Sequence, residues 1–378
     1  EVTEWNLFNG EVSQVEAVTQ GGKTVLKTVL YPAGSRVFMI DASKPQAPEE
    51  SLASWMPIED VKKLPDEWRF KRLHLNSFVI DLCEYCFGEG EWRPKTPIWK
   101  IRREAWRASG LEEFLGIQPW VLKEKNIRPS RLFELKLRAS FKSEVKPRQV
   151  FLVIEKAPIW KVKVNGVQVS TDTSDWHWDK QFGKIDISKH IIIGENIIEL
   201  SSIFNWEVPV EDLYLVGDFG VKRTSETEFV LTKEPETLKN GSWVEQGYPF
   251  YAGTMRYEAI FNLDDEPQPG EQIIIRLPEA KGTLFLVRVN DSDPIPICWR
   301  PLEADVTKNV QKGKNELSID VVSSLRNTFG PLHHKAGDLH WVGPSSFTDE
   351  KNWTDVYQLV PYGLIEGAEL VIRKTEGA

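Results

Sequence analysis

The segments Asp186-Ile-Ser-Lys189 and Gly194-Glu-Asn196-Ile-Ile198 recur further along the chain as Asp305-Val-Thr-Lys308 and Gly313-Lys-Asn315-Glu-Leu317. The Asp-to-Asn separation is ten residues in both copies. Working outward, Trp160-Lys-Val-Lys-Val-Asn165-Gly166 precedes the first copy, and Leu284-Phe-Leu-Val-Arg-Val-Asn290-Asp291 precedes the second. The step from Asn165 to Asp186 is 21 residues and that from Asn290 to Asp305 is 15, so one loop differs in length. Still further upstream, the alternating stretch Leu132–Phe141 is matched by Met255–Phe261, each ending on Phe. Every matched position has a local task. Asn165-Gly166 supplies the positive-φ pair of a tight hairpin. Asp186 with Ser188, and Asp305 with Thr307, can bond neighbouring backbone amides in a turn. Gly194 and Gly313 end that turn before the next strand. The reading is an all-β chain holding two copies of one β-sandwich module, at 66–222 and 223–378.

The flanks follow the same logic. Thr24–Leu30 and Arg36–Ile40 read as short strands separated by a turn at Ala33-Gly34-Ser35, so residues 1–45 form a strand-rich piece too small for its own core. It is expected to complete a sandwich whose other strands lie upstream. Residues 46–65 carry Pro48, Pro57 and Pro65 among acidic residues and read as a linker. Helix is scarce. Thr96–Leu115, with Trp99, Arg102, Arg103, Trp106 and Leu111 at mixed helical spacing, reads as a short insertion near 95–115 in the first module.

Composition narrows the function classes. The 378 residues are 41% apolar and 27% charged, which favours folded domains over disorder. A net charge of −9 without a basic stripe argues against a nucleic-acid partner. No apolar run reaches the roughly 18–20 residues of a membrane helix, and no signal peptide leads the chain, so a membrane partner is not expected. A start at Glu1 without Met suggests a mature product or a fragment. Three cysteines cannot build a disulfide framework, which suits a bacterial cytoplasm and equally a large secreted bacterial protein. A (β/α)8 barrel needs alternating strands and helices over about 250 residues, and that alternation is missing here.

The 15 Trp residues raise carbohydrate binding, since the flat apolar face of a sugar stacks on an indole. Trp176 and Trp178 lead, with His177 between them. If that segment is extended, both rings face one side and could clamp a pyranose. Trp92, Trp120 and Trp299 come second. Arg326 and Asn327 follow an apolar strand, where a guanidinium can engage sugar hydroxyls or a carboxylate, or the pair can anchor the loop. Cys83-Glu-Tyr-Cys86 has redox spacing but follows a strand, which favours two buried thiols. Adjacent His333 and His334 would point to opposite faces of an extended segment, which argues against a shared metal with His340. Asp264-Asp265-Glu266 and Asp291/Asp293 are candidates for a structural calcium; otherwise no metal or cofactor is expected.

The order of elements resembles the galactose-binding-like jelly roll of family 2 glycoside hydrolases. Trp243–Gly253, Cys298-Trp299-Arg300-Pro301, Ser324–Pro331 and Val342-Gly343-Pro344 resemble the C-terminal region of large bacterial hydrolases of family 2-like or α-L-rhamnosidase-like type. Asn76–Asp81, Trp176–Asp179 and Tyr214–Phe219 resemble the preceding module of those enzymes. In that family the catalytic carboxylates lie in an upstream barrel, so the resemblance transfers no catalytic residue. It implies a non-catalytic C-terminal portion of a multidomain hydrolase, with carbohydrate and an upstream catalytic domain of the same polypeptide as partners. A free-standing carbohydrate-binding protein is the alternative reading, and a complete small glycosidase is the weakest.

Overall fold

The computed structural model describes residues 1–7, 10–15, 17–26, 28, 30, 34–43 and 58–374. Its skeleton is two antiparallel ladders of ten residues each. Glu134–Ser143 pairs with Gly194–Ile203, and Thr254–Leu263 pairs with Gly313–Val322. Alternation decides which face goes inward. Leu135, Leu137, Ala139 and Phe141 enter one core, and Met255, Tyr257, Phe261 and Leu263 the other.

Around these ladders the two sandwiches repeat one strand order. In the inner module one sheet runs Leu82–Phe87, Glu134–Ser143, Gly194–Ile203, Lys161–Val164, Val167–Val169. The facing sheet runs Asp179–Asp186, Val150–Glu155, Leu213–Gly217, Asn76–Ile80. The outer module gives Glu67–Arg72, Thr254–Leu263, Gly313–Val322, Leu284–Val289, Ile295–Ile297 against Glu303–Asp305, Glu271–Arg276, Glu369–Lys374, Ile58–Lys63. These are jelly-roll sandwiches.

The boundaries differ from the tandem expected at 66–222 and 223–378. Glu67–Arg72 pairs with Thr254–Leu263, and Ile58–Lys63 pairs with Glu369–Lys374. The second sandwich therefore begins before the first, and the end of the expected 46–65 linker is one of its strands. The first sandwich is inserted within the second. Leu73 N–H donates to the Thr254 carbonyl at 3.0 Å, so the chain leaves and returns at one point. An insertion whose ends already touch adds little closure entropy to its host. The inner module opens at the same joint: Gly88 N–H donates to Glu134 O at 2.8 Å, and the helical excursion lies between.

That excursion is shorter in regular helix than its spacing suggested. Helix α1 (Ile98–Ala108) buries Ile98, Ile101, Ala105 and Trp106, and α2 (Pro119–Glu124) follows. Gly110 ends the first piece at φ 77°, and a Cβ there would sit 2.1 Å from Ser130 Oγ. At the N-terminus, Val12–Val15, Val2–Trp5 and Val37–Ile40 form a three-stranded sheet, and Ala17–Gln20 pairs with Lys23–Leu26. The expected turn residue Ala33 and linker residues 46–57 lie outside the described residues.

The repeated motif closes a hydrogen-bonded corner in each module. Asn196 is fully buried; its Oδ1 accepts from Ile192 N–H and Asn165 Nδ2, and its Nδ2 donates to the Ile192 and Gly194 carbonyls. Asn315 repeats this with Gln311, Asn290 and Gly313. Ser188 and Thr307 each bond their aspartate and accept from the opposing strand, at Val150 and Ile273. Replacing Asn196 or Asn315 by Ala would strand several buried backbone groups, and should cost about 2–4 kcal/mol in urea unfolding. A loss under about 0.5 kcal/mol would show that water replaces the amide.

Candidate functional site

The hairpin at Trp176 is built differently from an extended clamp. The pairing of Trp176–His177 with Asp179–Asp186 shifts register between Trp176 and His177, and Trp178 turns at φ 62°. The two indoles therefore do not share a face. Trp178 packs edge-on against Tyr214 and Phe329, with centroids 5.4 and 5.0 Å away. It is a ring of the junction between the modules. Trp176 stays half-exposed, at 50%. Burial, with Lys184 and His74 nearby, lowers the His177 pKa to about 4 and keeps its imidazole neutral at pH 7.

Phe329 belongs to the short helix α3 (Arg326–Phe329), where the expected Arg326 and Asn327 also lie. Asn327 is buried, donating to Val360 O and accepting from Val360 N–H, both at 2.9 Å. Arg326 bonds Asp338 and the Gly337 carbonyl at 3.3 Å. Both are hydrogen-bonded into the return loop. His333 and His334 do point apart: His334 lies 3.8 Å from Asp349, whereas His333 turns inward.

His333 belongs to a cluster that local sequence does not betray. Its Nδ1 donates to the Thr354 carbonyl at 2.8 Å, since a carbonyl can only accept. Its Nε2 lies 2.6 Å from Asp81 Oδ2, and Tyr357 OH donates to Asp81 Oδ1 at 2.6 Å. Burial, followed by the charges of Asp81 and Glu211, raises the Asp212 carboxyl beside them. Asp81 ends an inner-module strand and the other two come from the outer module's return loop. Phe250, Leu332 and Tyr357 of the outer module also complete the inner core. The two sandwiches thus share packing as well as a chain crossing.

Open concave surface lies elsewhere. A cleft of about 1170 Å³ sits over the outward face of the sheet holding Glu271–Arg276 and Glu369–Lys374, with Asn6 and Glu11, from the connection between Val2–Trp5 and Val12–Val15, on its lining. Glu303 and Arg373 of its lining belong to a closed ring of charge that runs on to Arg276 and Glu59, outside the lining. Arg276 donates to Glu303 and Glu59 at 2.8 Å, and Arg373 donates to Glu59 at 2.9 Å and Glu303 at 3.0 Å. Ile274 and Val371 point outward beneath this ring yet are buried. Trp299, 48% exposed, stands on the wall. Of the predicted aromatic positions, this one faces the cleft. Trp120 is 65% exposed on α2 of the other module, and Trp92 carries Arg138 over its ring at 3.9 Å.

Cys83 and Cys86 are buried; burial raises the Cys83 thiol, and Cys86 donates to Gly90 O at 3.0 Å. In the acidic turn, Lys62 and Lys312 pair with Asp264 and Asp265. Among the described residues no group of three or more His, Cys, Asp and Glu is placed to hold a metal ion, and no helix is long and apolar enough to cross a membrane.

No protein-family model matches this chain, and no curated protein does. Solved structures similar to it include glycoside hydrolases. A rhamnosidase from Novosphingobium sp. PP1Y is 15% identical, over 72% of this chain and 28% of that one, with a TM-score of 0.27. A β-D-mannosidase from Dictyoglomus thermophilum is 13% identical over 70% of this chain and 31% of its own, with a TM-score of 0.22. A β-galacturonidase from Eisenbergiella tayi is 10% identical over 66% and 37%, with a TM-score of 0.25. This chain thus spans well under half the length of each.

The shared packing predicts a single cooperative transition for both sandwiches. His333→Ala should lower stability by about 3–5 kcal/mol by stranding Asp81, and Tyr357→Phe by about 1.5–3 kcal/mol. Two resolved transitions in urea would overturn the coupling. For His177, the folded state binds fewer protons than the unfolded state between the ordinary value near 6.5 and about 4. Stability is then full above that window and falls as pH drops through it. His177→Gln should flatten the fall in denaturation measured from pH 7 to pH 4; an unchanged profile would place it on other groups.

Proposed function

We propose that this chain is a non-catalytic β-sandwich portion of a multidomain glycoside hydrolase, supporting a catalytic domain and binding carbohydrate in the cleft beside Trp299. The observation that carries the reading is the cleft itself. It joins a half-exposed indole, suited to the apolar face of a sugar, to a wall of hydroxyl, amide and carboxylate groups suited to sugar hydroxyls. The salt ring that Glu303 and Arg373 of this wall belong to is already satisfied. A glycosidic general acid needs a raised pKa. Arg276 and Arg373 hold Glu59 below the ordinary carboxylate value, against its partial burial, and the Gln268 amide and Lys374 do the same for Glu271. Neither Glu59 nor Glu271 is therefore suited to act as such an acid. A module that holds a polymeric substrate beside a catalytic domain raises its local concentration.

Calorimetric titration of the chain with neutral oligosaccharides tests this. Binding should be weakened about tenfold or more by Trp299→Ala, equivalent to about 1.4 kcal/mol. Loss of binding on Trp176→Ala instead would move the site to the hairpin. Turnover of aryl glycosides by rigorously purified chain would overturn the non-catalytic reading.

A further inference from the structure

We infer that the cleft selects its ligand by charge, admitting neutral and amine-bearing sugars and rejecting carboxylated or sulfated ones. The inference rests on the binding reading above and names its ligand class. The ring of Glu59, Arg276, Glu303 and Arg373 sets two guanidinium groups against two carboxylates, so Arg373, although it lines the cleft, leaves no net positive charge for a ligand. The wall is different. Lys374 pairs with Glu271 at 2.9 Å, but no cation pairs with Asp291, Asp293 or Asp305 among the described residues. Asp305 accepts from Thr307 and Gln272, neutral donors that leave its charge intact. Lys308, exposed on the same lining, is the one lysine among the described residues that line the cleft. An anionic sugar in the cleft would therefore meet three carboxylates against a single free lining cation, since the lining arginine, Arg373, is already engaged and Arg300, exposed next to Trp299, is not part of the lining. The same wall attracts an ammonium.

Three oligomers of equal length serve as probes at 20 mM salt: a neutral galacto-oligosaccharide, a chitosan oligomer and an oligogalacturonate. The neutral and amine-bearing oligomers should bind, and the galacturonate should bind about tenfold more weakly, with the gap closing at 0.5 M salt. Asp291→Asn combined with Asp293→Asn should move the galacturonate-to-neutral affinity ratio toward one. Galacturonate binding that equals or exceeds neutral binding, and is lost in Trp299→Ala, would overturn the charge selection while leaving the binding site in place. Binding of none of the three would overturn the binding reading itself.

Discussion

A carboxamide with no water around it must find a protein partner for each donor and acceptor, and Asn196 and Asn315 find theirs within one corner of each sandwich. That corner sets where the long strands Gly194–Ile203 and Gly313–Val322 begin. A register slip of one residue there would turn Ile198 and Leu200, or Leu317 and Ile319, from the core to the outer face. The rest of each sheet is built outward from these ladders, so the corner governs far more chain than it contains.

The nesting of one sandwich in the other follows from where a jelly roll tolerates extra chain. The turn joining its second and third strands lies at a sheet end, and in both copies a backbone hydrogen bond extends the ladder across the mouth of that gap. In the inner copy the gap holds two short helices; in the outer copy it holds an entire sandwich. The outer module then reaches back with its return loop, placing Tyr357 and Leu332 in the inner core and His333 on Asp81. Such reciprocal packing holds the two bodies in one orientation, unlike modules joined only by a flexible linker.

The aromatic residues divide along the same physical line. Trp178 sits at a left-handed turn and is covered by Phe329 and Tyr214, because the hairpin bends onto the neighbouring module. Trp299 follows a short edge strand and stays half-exposed in the lining of the cleft. Similar residues in polar segments thus take opposite fates according to what the other module places over them.

Turn chemistry acts over a few residues, and so the Asn-Gly hairpins, the Asp-Ser and Asp-Thr corners and the two-copy architecture were legible in the sequence alone. The alternating strands and the general place of the helical excursion were legible for the same reason. Which strands opened the outer module was not: Glu67–Arg72 finds its partner across more than 180 residues. The Asp81–His333 contact spans 252 residues, and the Glu59–Arg373 contact spans 314. No local pattern encodes such pairings, because they exist only once the inner sandwich is folded between the outer one's strands. The sequence by itself determined the module and its repetition. Tertiary structure decided the nesting, the junction and the cleft, since each depends on burial and charge contributed by distant parts of the chain.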